Sequence, residues 1–174
     1  MTDGTGALVA HIPSLRRYAR ALTGDAWTAD DLVQDTLERA CDKWRLWTAG
    51  TDLRAWLFTL MHNLFVNQVR RAPPQRASVD IDELAEHLPA AETLPERQID
   101  LQRCLLQLPD EQRAVLLLVA LEDLSYDDVA RILGVPAGTV MSRLSRARTR
   151  LRQLMEGVGP AAPAPARAPL RRLK

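Results

Sequence analysis

The sequence is poor in cysteine, in aromatic residues and in long apolar runs. It has two cysteines in 174 residues, and neither Cys41 nor Cys104 has a second cysteine or a histidine at metal-ligand spacing. This pattern argues against a disulfide framework and a zinc module, and predicts two small buried side chains in a reducing compartment. No apolar run approaches the ~20 residues of a transmembrane helix, and no signal-peptide pattern opens the chain. We therefore expect a cytoplasmic protein without membrane insertion.

Charge is nearly balanced overall but unevenly distributed. The formal net charge is +1 at pH 7, which excludes a uniformly basic surface. Residues 79–100 nevertheless hold seven acidic residues and one arginine, whereas residues 136–152 hold five arginines and no acid. Such an asymmetry indicates something about binding partners rather than about the fold.

Apolar residues recur at intervals of three and four along most of the chain, and strand signals are scarce. This spacing predicts an all-α fold. Gly24 is predicted to end the first helix and Thr28 to cap the second, while Asp52 is placed to cap the third. Pro13 is expected to kink or restart the first helix.

Two helical blocks flank a stretch that is rich in proline and acid. Residues 1–72 and 96–156 are predicted to form two small helical domains. Residues 73–95 have proline at both ends and weak periodicity, which predicts a flexible acidic linker. Residues 157–174 are rich in proline and alanine with four basic residues, which predicts a disordered tail.

The second block ends in a helix-turn-helix pattern. Ser125 is predicted to cap the first helix of the pair, Gly134 to end it, and Pro136 to open the second. Val140 and Leu144 belong to an apolar stripe on that second helix, and its other faces carry arginines and hydroxyls without any acid. Such a face suits the major groove of DNA better than solvent alone. The predicted DNA-contacting residues are Thr139, Ser142, Arg143, Ser145, Arg146 and Arg148.

The first block carries an acidic helical face opposite an apolar stripe. The face consists of Asp31, Gln34, Asp35 and Glu38. It suits a basic partner surface, although acidic residues near a helix start are also favoured by the helix dipole alone.

A second polar stripe follows in the next helix. Trp56, Asn63, Asn67 and Arg70 are spaced by seven, four and three residues, which places them on one face. An aromatic ring, two amides and a guanidinium suit unstacked single-stranded DNA. Trp56 is equally compatible with a core position, whereas buried amides would need partners. His62 beside them is expected to be structural.

These segments resemble the bacterial sigma factors of RNA polymerase, and more narrowly the extracytoplasmic-function (ECF) class of the sigma-70 family. "SYDDVARILGVPAGTVMSRLSRARTRLR" resembles region 4, with its run Gly-Thr-Val-x-Ser-Arg-x-x-Arg-Ala-Arg. Met141 stands where the family often has Lys or Arg. "DLVQDTLERA" and "RAWLFTLMHNLFVNQVRR" resemble the docking and strand-opening segments of region 2.

The resemblance implies a role for each surface. The helix-turn-helix would read the −35 promoter element. The strand-opening face would capture non-template bases of the −10 element, through Trp56, Asn63, Asn67, Arg70 and Arg71. The acidic face would dock on the β′ subunit of core RNA polymerase, and the linker would thread towards the active centre. Implied partners are core polymerase (β′ and β subunits), promoter DNA and an anti-sigma factor, with no cofactor, no metal and no enzymatic activity.

Two other classes of protein fit parts of the sequence. A stand-alone helix-turn-helix regulator would bind duplex DNA without polymerase. A DNA-processing enzyme could use the carboxylates of the first block, but no histidine accompanies them and helical spacing spreads them over a convex surface.

Overall fold

A computed structural model describes residues 3–47, 51–72 and 96–157 of the chain. Within these ranges the backbone forms seven α-helices, a short 3-10 helix and no strand, so the all-α prediction is confirmed. The elements are α1 (Asp3–Thr23), α2 (Ala26–Asp42), the 3-10 helix (Trp44–Leu46), α3 (Leu53–Arg71), α4 (Glu96–Leu106), α5 (Asp110–Ala120), α6 (Tyr126–Leu133) and α7 (Ala137–Met155). The predicted linker and residues 158–174 of the predicted tail lie outside the described residues, and the domain boundaries stay predictions.

Helix ends follow the local sequence closely. Gly24 adopts φ +75° immediately after α1, and the Asp52 carboxylate accepts the Ala55 N–H at 3.1 Å, as predicted. The cap of α2 is Asp25 rather than Thr28, because Asp25 directly follows the turn and its carboxylate accepts the Thr28 N–H at 2.7 Å. Thr28 instead occupies the third helical position, and its hydroxyl donates to the same carboxylate.

Proline does not interrupt α1. Pro13 lies inside the continuous helix Asp3–Thr23, so the expected restart at this residue is wrong. Pro13 and Val9, four residues earlier, are both exposed. Water can therefore solvate the carbonyl that proline leaves without an N–H partner.

The N-terminal half, which comprises α1 to α3, is a bundle in which α2 packs against both α1 and α3. The C-terminal half comprises α4 to α7. Its centre is built from fully buried Leu15, Leu22 and Leu32, and from Tyr18 and Phe58. The rings of Tyr18 and Phe58 meet edge to face, with centroids 5.3 Å apart. Side chains at helical spacing thus form the core that the periodicity predicts.

The two halves pack against each other through the same core. Helix α1 contacts α4 and α5, α3 contacts α6, and the buried residues of both halves form one cluster. Gly24 marks a close approach between them, because a Cβ there would lie 2.6 Å from a methyl group of Leu106. Beside it, Gln102 donates to the backbone oxygen of Ala21 at 3.2 Å.

A buried carboxylate joins the halves. Glu122, between α5 and α6, has a fully buried side chain. Arg17 of α1 donates to both its oxygens, at 3.1 and 3.0 Å. Arg54 of α3 donates to Oε2 and to the backbone oxygen of Glu122, both at 2.7 Å. Two charge-assisted contacts thus compensate a charge that would be costly to bury alone.

We expect Arg54→Ala to lower the free energy of unfolding by about 3 kcal/mol, because it leaves Glu122 buried with Arg17 as its remaining partner. Arg16→Ala is the matched control. Arg16 pairs with Asp30 at 3.1 Å, but both side chains are about half exposed, so the expected loss is at most about 1 kcal/mol. Denaturant unfolding followed by circular dichroism checks both values, and equal small losses would contradict the role of Glu122.

Candidate nucleic-acid interface and docking face

The predicted helix-turn-helix is present as α6, the turn 134–136 and α7. The Ser125 hydroxyl accepts the Asp128 N–H at 3.1 Å, and Gly134 ends α6 in the left-handed region at φ +64°. Tyr126, which opens α6, is exposed, whereas Val129 and Ile132 of that helix are buried. The turn thus leads directly from α6 into α7, and α7 packs against both α5 and α6.

One face of α7 is buried and most of its polar side chains are exposed. Val140, Leu144 and Ala147 are at most 2% exposed. Thr139 is half-buried, and the exposed members of the predicted DNA-contacting set are Ser142, Ser145, Arg146 and Arg148.

Two arginines of α7 have different surroundings. Arg146 donates to the backbone oxygen and to the hydroxyl of Ser142, both at 3.2 Å, which organises an exposed hydroxyl–guanidinium pair. Arg143 is only 21% exposed in its side chain, and it pairs with Glu111 of α5 at 2.7 Å. In this arrangement Arg143 links α7 to α5 and is less exposed than Arg146 and Arg148.

The polar stripe of α3 lies at the surface. Asn63, Asn67, Arg70 and Arg71 are exposed, whereas Trp56 is half-buried. The amides therefore need no partner in a core, and they stand available to a ligand.

Trp56 belongs to an aromatic cluster that the sequence analysis missed. Its ring stands edge-on to Trp44 at 6.4 Å, and Trp44 lies 5.1 Å from Trp47. The signal was available, since three of the four tryptophans fall between residues 44 and 56. The cluster lies at the N-terminal end of α3, where Trp56 precedes Asn63 by seven residues, or about two helical turns.

The acidic face of α2 is only partly open. Asp31, Gln34 and Glu38 are exposed, and the Gln34 amide donates to Glu38 at 3.0 Å. Asp35 is half-buried, with the Gln68 amide 3.5 Å from its carboxylate. Burial, followed by repulsion from Asp31 and Glu38, raises the pKa of Asp35.

An open groove of about 620 Å³ runs beside this face, between α1 and α2. Cys41 lines it and is exposed, so the prediction that both cysteines are buried holds only for Cys104. Helical spacing explains the error, because Ala40 occupies the buried position of that turn. Among the residues described, no group of histidine, cysteine and acidic side chains is arranged to hold a metal ion. No helix in the same ranges has the length and apolar character needed to cross a membrane.

His62 lies where α3 meets the C-terminal half. It is half-buried, and its Nδ1 is buried without a hydrogen-bond partner among the described residues. Burial, and then the positive charge of Arg143, lowers the pKa of His62 to about 4, against the opposing effect of Glu111. The histidine is therefore neutral at physiological pH, which agrees with a structural role.

Known proteins resemble the chain in both halves. The family model of the sigma2 domain of PhyR matches residues 8–62, and that of Sigma-70, region 4 matches residues 98–151. The ECF RNA polymerase sigma factor EcfG of Rhodopseudomonas palustris is 38% identical over 153 residues, which cover 85% of this chain and 82% of EcfG. SigM of Mycobacterium tuberculosis, also an ECF RNA polymerase sigma factor, is 35% identical over 147 residues, covering 83% and 73% of the two chains.

Solved structures agree with these matches. The sigma factor RpoE of Bartonella quintana, in complex with the anti-sigma factor NepR, is 34% identical. It superposes with a TM-score of 0.74 over 90% of this chain and 98% of RpoE. CnrH, in complex with the cytosolic domain of CnrY, is 25% identical with a TM-score of 0.65, over 88% and 87% of the two chains.

We expect the stability of the protein to depend on pH through His62. Its pKa is lowered from 6.5 to about 4 in the folded chain, so between these values the unfolded chain binds a proton that the folded chain does not. The free energy of unfolding should therefore fall by up to about 3 kcal/mol as the pH drops through this window. Above pH 6.5, protonation of His62 should no longer contribute to the pH dependence of stability. Denaturant unfolding of His62→Gln should give a shallower slope between pH 6.5 and 4. An unchanged slope would contradict the burial of a neutral histidine.

Proposed function

This chain belongs to the family of ECF RNA polymerase sigma factors. From that premise we propose which partner each of its polar faces binds during transcription initiation. A sigma factor directs core RNA polymerase to promoters. The observation that carries the proposal is the exposure, on one chain, of an acidic face on α2, an amide face on α3 and an arginine–hydroxyl face on α7. A stand-alone helix-turn-helix regulator would need only the last of these and is not favoured.

The face of α7 reads duplex DNA at the upstream promoter element. Ser142 and Arg146 form the pair most suited to base edges, because the hydroxyl and guanidinium already contact each other at the surface. Arg148 and Arg152 are exposed nearby and suit phosphates. Met141, 52% exposed, adds an apolar contact where a charged residue is common in the family.

The face of α3 captures single-stranded DNA at the −10 element. Asn63 and Asn67 offer amides for the base edges, and Arg70 and Arg71 offer charge for the phosphates. Trp56 is half-buried against Trp44, so it presents an edge of the aromatic cluster rather than an isolated stacking platform. Stacking and amide contacts of this kind hold unpaired bases.

The acidic face of α2 docks on a basic surface of the β′ subunit. Asp31, Gln34 and Glu38 are exposed and form its contact residues. Asp35 is half-buried against Gln68, and it serves mainly to shape the face. The protein itself contributes binding and no catalysis, and we place it in the cytoplasm with the polymerase.

The packed halves have to separate at a promoter. The −10 and −35 elements lie about 25 base pairs apart, which is roughly 85 Å along the helix axis at ~3.4 Å per base pair. A compact body of about 130 residues has a radius of gyration of roughly 14 Å. With α3 in contact with α6, the two DNA-binding faces cannot reach both elements together. The buried Glu122 contacts would break in that transition.

An anti-sigma factor that stabilises the packed form is the further partner we propose. Its support is the similarity, over most of the chain, to a sigma factor solved in complex with the anti-sigma factor NepR. A second candidate function follows from the match of residues 8–62 to the sigma2 domain of PhyR, which is described as an anti-anti-sigma factor. A protein of that kind would bind the anti-sigma factor but not polymerase.

Substitutions on α7 should separate base reading from phosphate contact. Ser142→Ala and Arg146→Ala should each weaken holoenzyme binding to the preferred upstream sequence by about 1–3 kcal/mol, with less effect on other sequences. Arg152→Ala should weaken binding to all DNA sequences alike. It should also reduce the slope of the logarithm of the binding constant against the logarithm of the salt concentration by about one. Fluorescence anisotropy with labelled promoter fragments measures both effects. A sequence-independent loss for Ser142 and Arg146 would remove the base-reading role.

Substitutions on α3 should act after polymerase binding. Asn63→Ala and Asn67→Ala should leave core polymerase binding intact but destabilise the open complex, by about 1–3 kcal/mol per lost contact. Gln107→Ala removes an exposed amide of the C-terminal half and serves as the matched control. Permanganate reactivity of thymines in the opened region reports the effect, and wild-type reactivity in both asparagine variants would refute strand capture by this face.

Charge reversal on α2 tests the function as a whole. The double variant Asp31→Arg/Glu38→Arg should abolish co-purification with core polymerase and run-off transcription, because it sets like charges against each other at two points of the interface. Helical content should be unchanged, since both residues are exposed. Asp100→Arg, at an exposed acid of α4, should behave as wild type. A wild-type chain that binds an anti-sigma factor but no polymerase would instead favour the anti-anti-sigma function.

A further inference from the structure

The most exposed large apolar side chain among the described residues is Trp27, in the first turn of α2. It is 79% exposed, and it makes no ring pair with any described residue, whereas Trp44 pairs with both Trp47 and Trp56. A tryptophan is rarely left so open to water, because it carries the largest apolar surface of any residue. The N-cap of α2 is Asp25, two residues before Trp27. The ring is therefore not needed to start the helix.

Trp27 lies in line with the acidic face of α2. It precedes Asp31 by four residues, Gln34 by seven and Glu38 by eleven. At 3.6 residues per turn, these four side chains fall within about 60° of the helix circumference. The ring therefore stands at the N-terminal end of the exposed carboxylates, on the same side of the helix.

The surface beside this line is also partly apolar. Gln34 and Glu38 border the open groove between α1 and α2, and Ile12 and Leu37 line it. A partner that covers the carboxylates would thus meet apolar surface along one flank and the tryptophan ring at one end. Apolar and charged side chains therefore lie side by side on this surface, as they do at protein interfaces.

We propose that Trp27 is the apolar anchor of the docking face, and that it inserts into an apolar pocket within a basic surface of core RNA polymerase. The inference rests on the proposed docking role of α2. Tryptophan is the residue most enriched among the few side chains that dominate binding energy at protein interfaces. The neighbouring charges steer the encounter, and the ring holds the complex once it has formed.

The charge of the face selects among possible occupants. Asp31 and Glu38 repel the phosphates of nucleic acid. A symmetric dimer of this chain would set the same carboxylates against each other, because the same patch occurs on both copies of such an interface. A basic protein surface is the partner that complements both the carboxylates and the ring.

Anchor and rim should differ in kinetics. Loss of an apolar anchor speeds dissociation and depends little on salt, whereas reversal of a rim charge slows association and depends strongly on salt. Trp27→Ala should therefore raise the dissociation rate for core polymerase, and Asp31→Arg should lower the association rate. This difference separates the two roles within one surface.

The test uses the full chain and immobilised core polymerase, with association and dissociation rates measured at two salt concentrations. Trp27→Ala should raise Kd on the order of 30-fold, mostly through the dissociation rate. Trp27→Phe should recover most of the affinity, because it restores an aromatic ring. Leu46→Ala is the matched control, since Leu46 is 73% exposed but belongs to the 3-10 helix after α2 rather than to α2 itself. Circular dichroism and Tm should match wild type for all three variants.

Each outcome decides a different point. If Trp27→Ala binds as wild type while Asp31→Arg associates more slowly, the anchor role of Trp27 is wrong and the docking face stands. Equal weakening by Trp27→Ala and Leu46→Ala would show a non-specific apolar effect and overturn the anchor. So would an effect confined to self-association in analytical ultracentrifugation, or to binding of the anti-sigma factor. If the wild-type chain itself does not bind core polymerase, the proposed function fails.

Discussion

The relative placement of the two halves depends on the ionic contacts of the Glu122 carboxylate with Arg17 and Arg54. Glu122 lies in a connection shaped by local backbone geometry: Asp123 adopts φ +52°, and the Leu124 N–H donates to Leu118 O at 3.1 Å. This turn directs Glu122 into the interior, where it meets arginines from α1 and α3. Because α6 begins only four residues later, the same turn also sets where the helix-turn-helix lies relative to α3.

A buried ion pair of this kind favours a particular arrangement without locking it. Removal of one partner is costly, but transfer of all three charged groups to water together costs much less, because each regains its hydration. The apolar contacts between the halves, including Leu106 against Gly24, give further stability to the packed form. Separation of the halves at a promoter is therefore compatible with the contacts that hold them, provided that binding of polymerase and DNA stabilises the separated form.

Charge and apolar surface have separate uses on the same helices. On α7 the buried stripe packs on the core, Arg143 pairs with Glu111, and Arg146, Arg148 and Arg152 are exposed. On α2 the carboxylates lie opposite the buried Val33 and Ala40. Each polar face is rigid because the opposite face of its helix is packed, and rigid presentation limits the entropy lost on binding.

The sequence by itself determined the helices, most of their ends and the polar composition of each face, because periodicity, caps and turn residues act within a few positions. What it could not determine are the side chains whose surroundings come from elsewhere in the chain. Asp35 is half-covered by Gln68, 33 residues away, and Glu122 meets Arg17 across 105 residues. Arg143 and Ser142 are neighbours on one helix, yet only the packing of α5 beside α7 decides that the first is paired and the second is exposed. The physical reason is that local free energies select the helices, whereas burial and charge pairing depend on which distant surfaces meet.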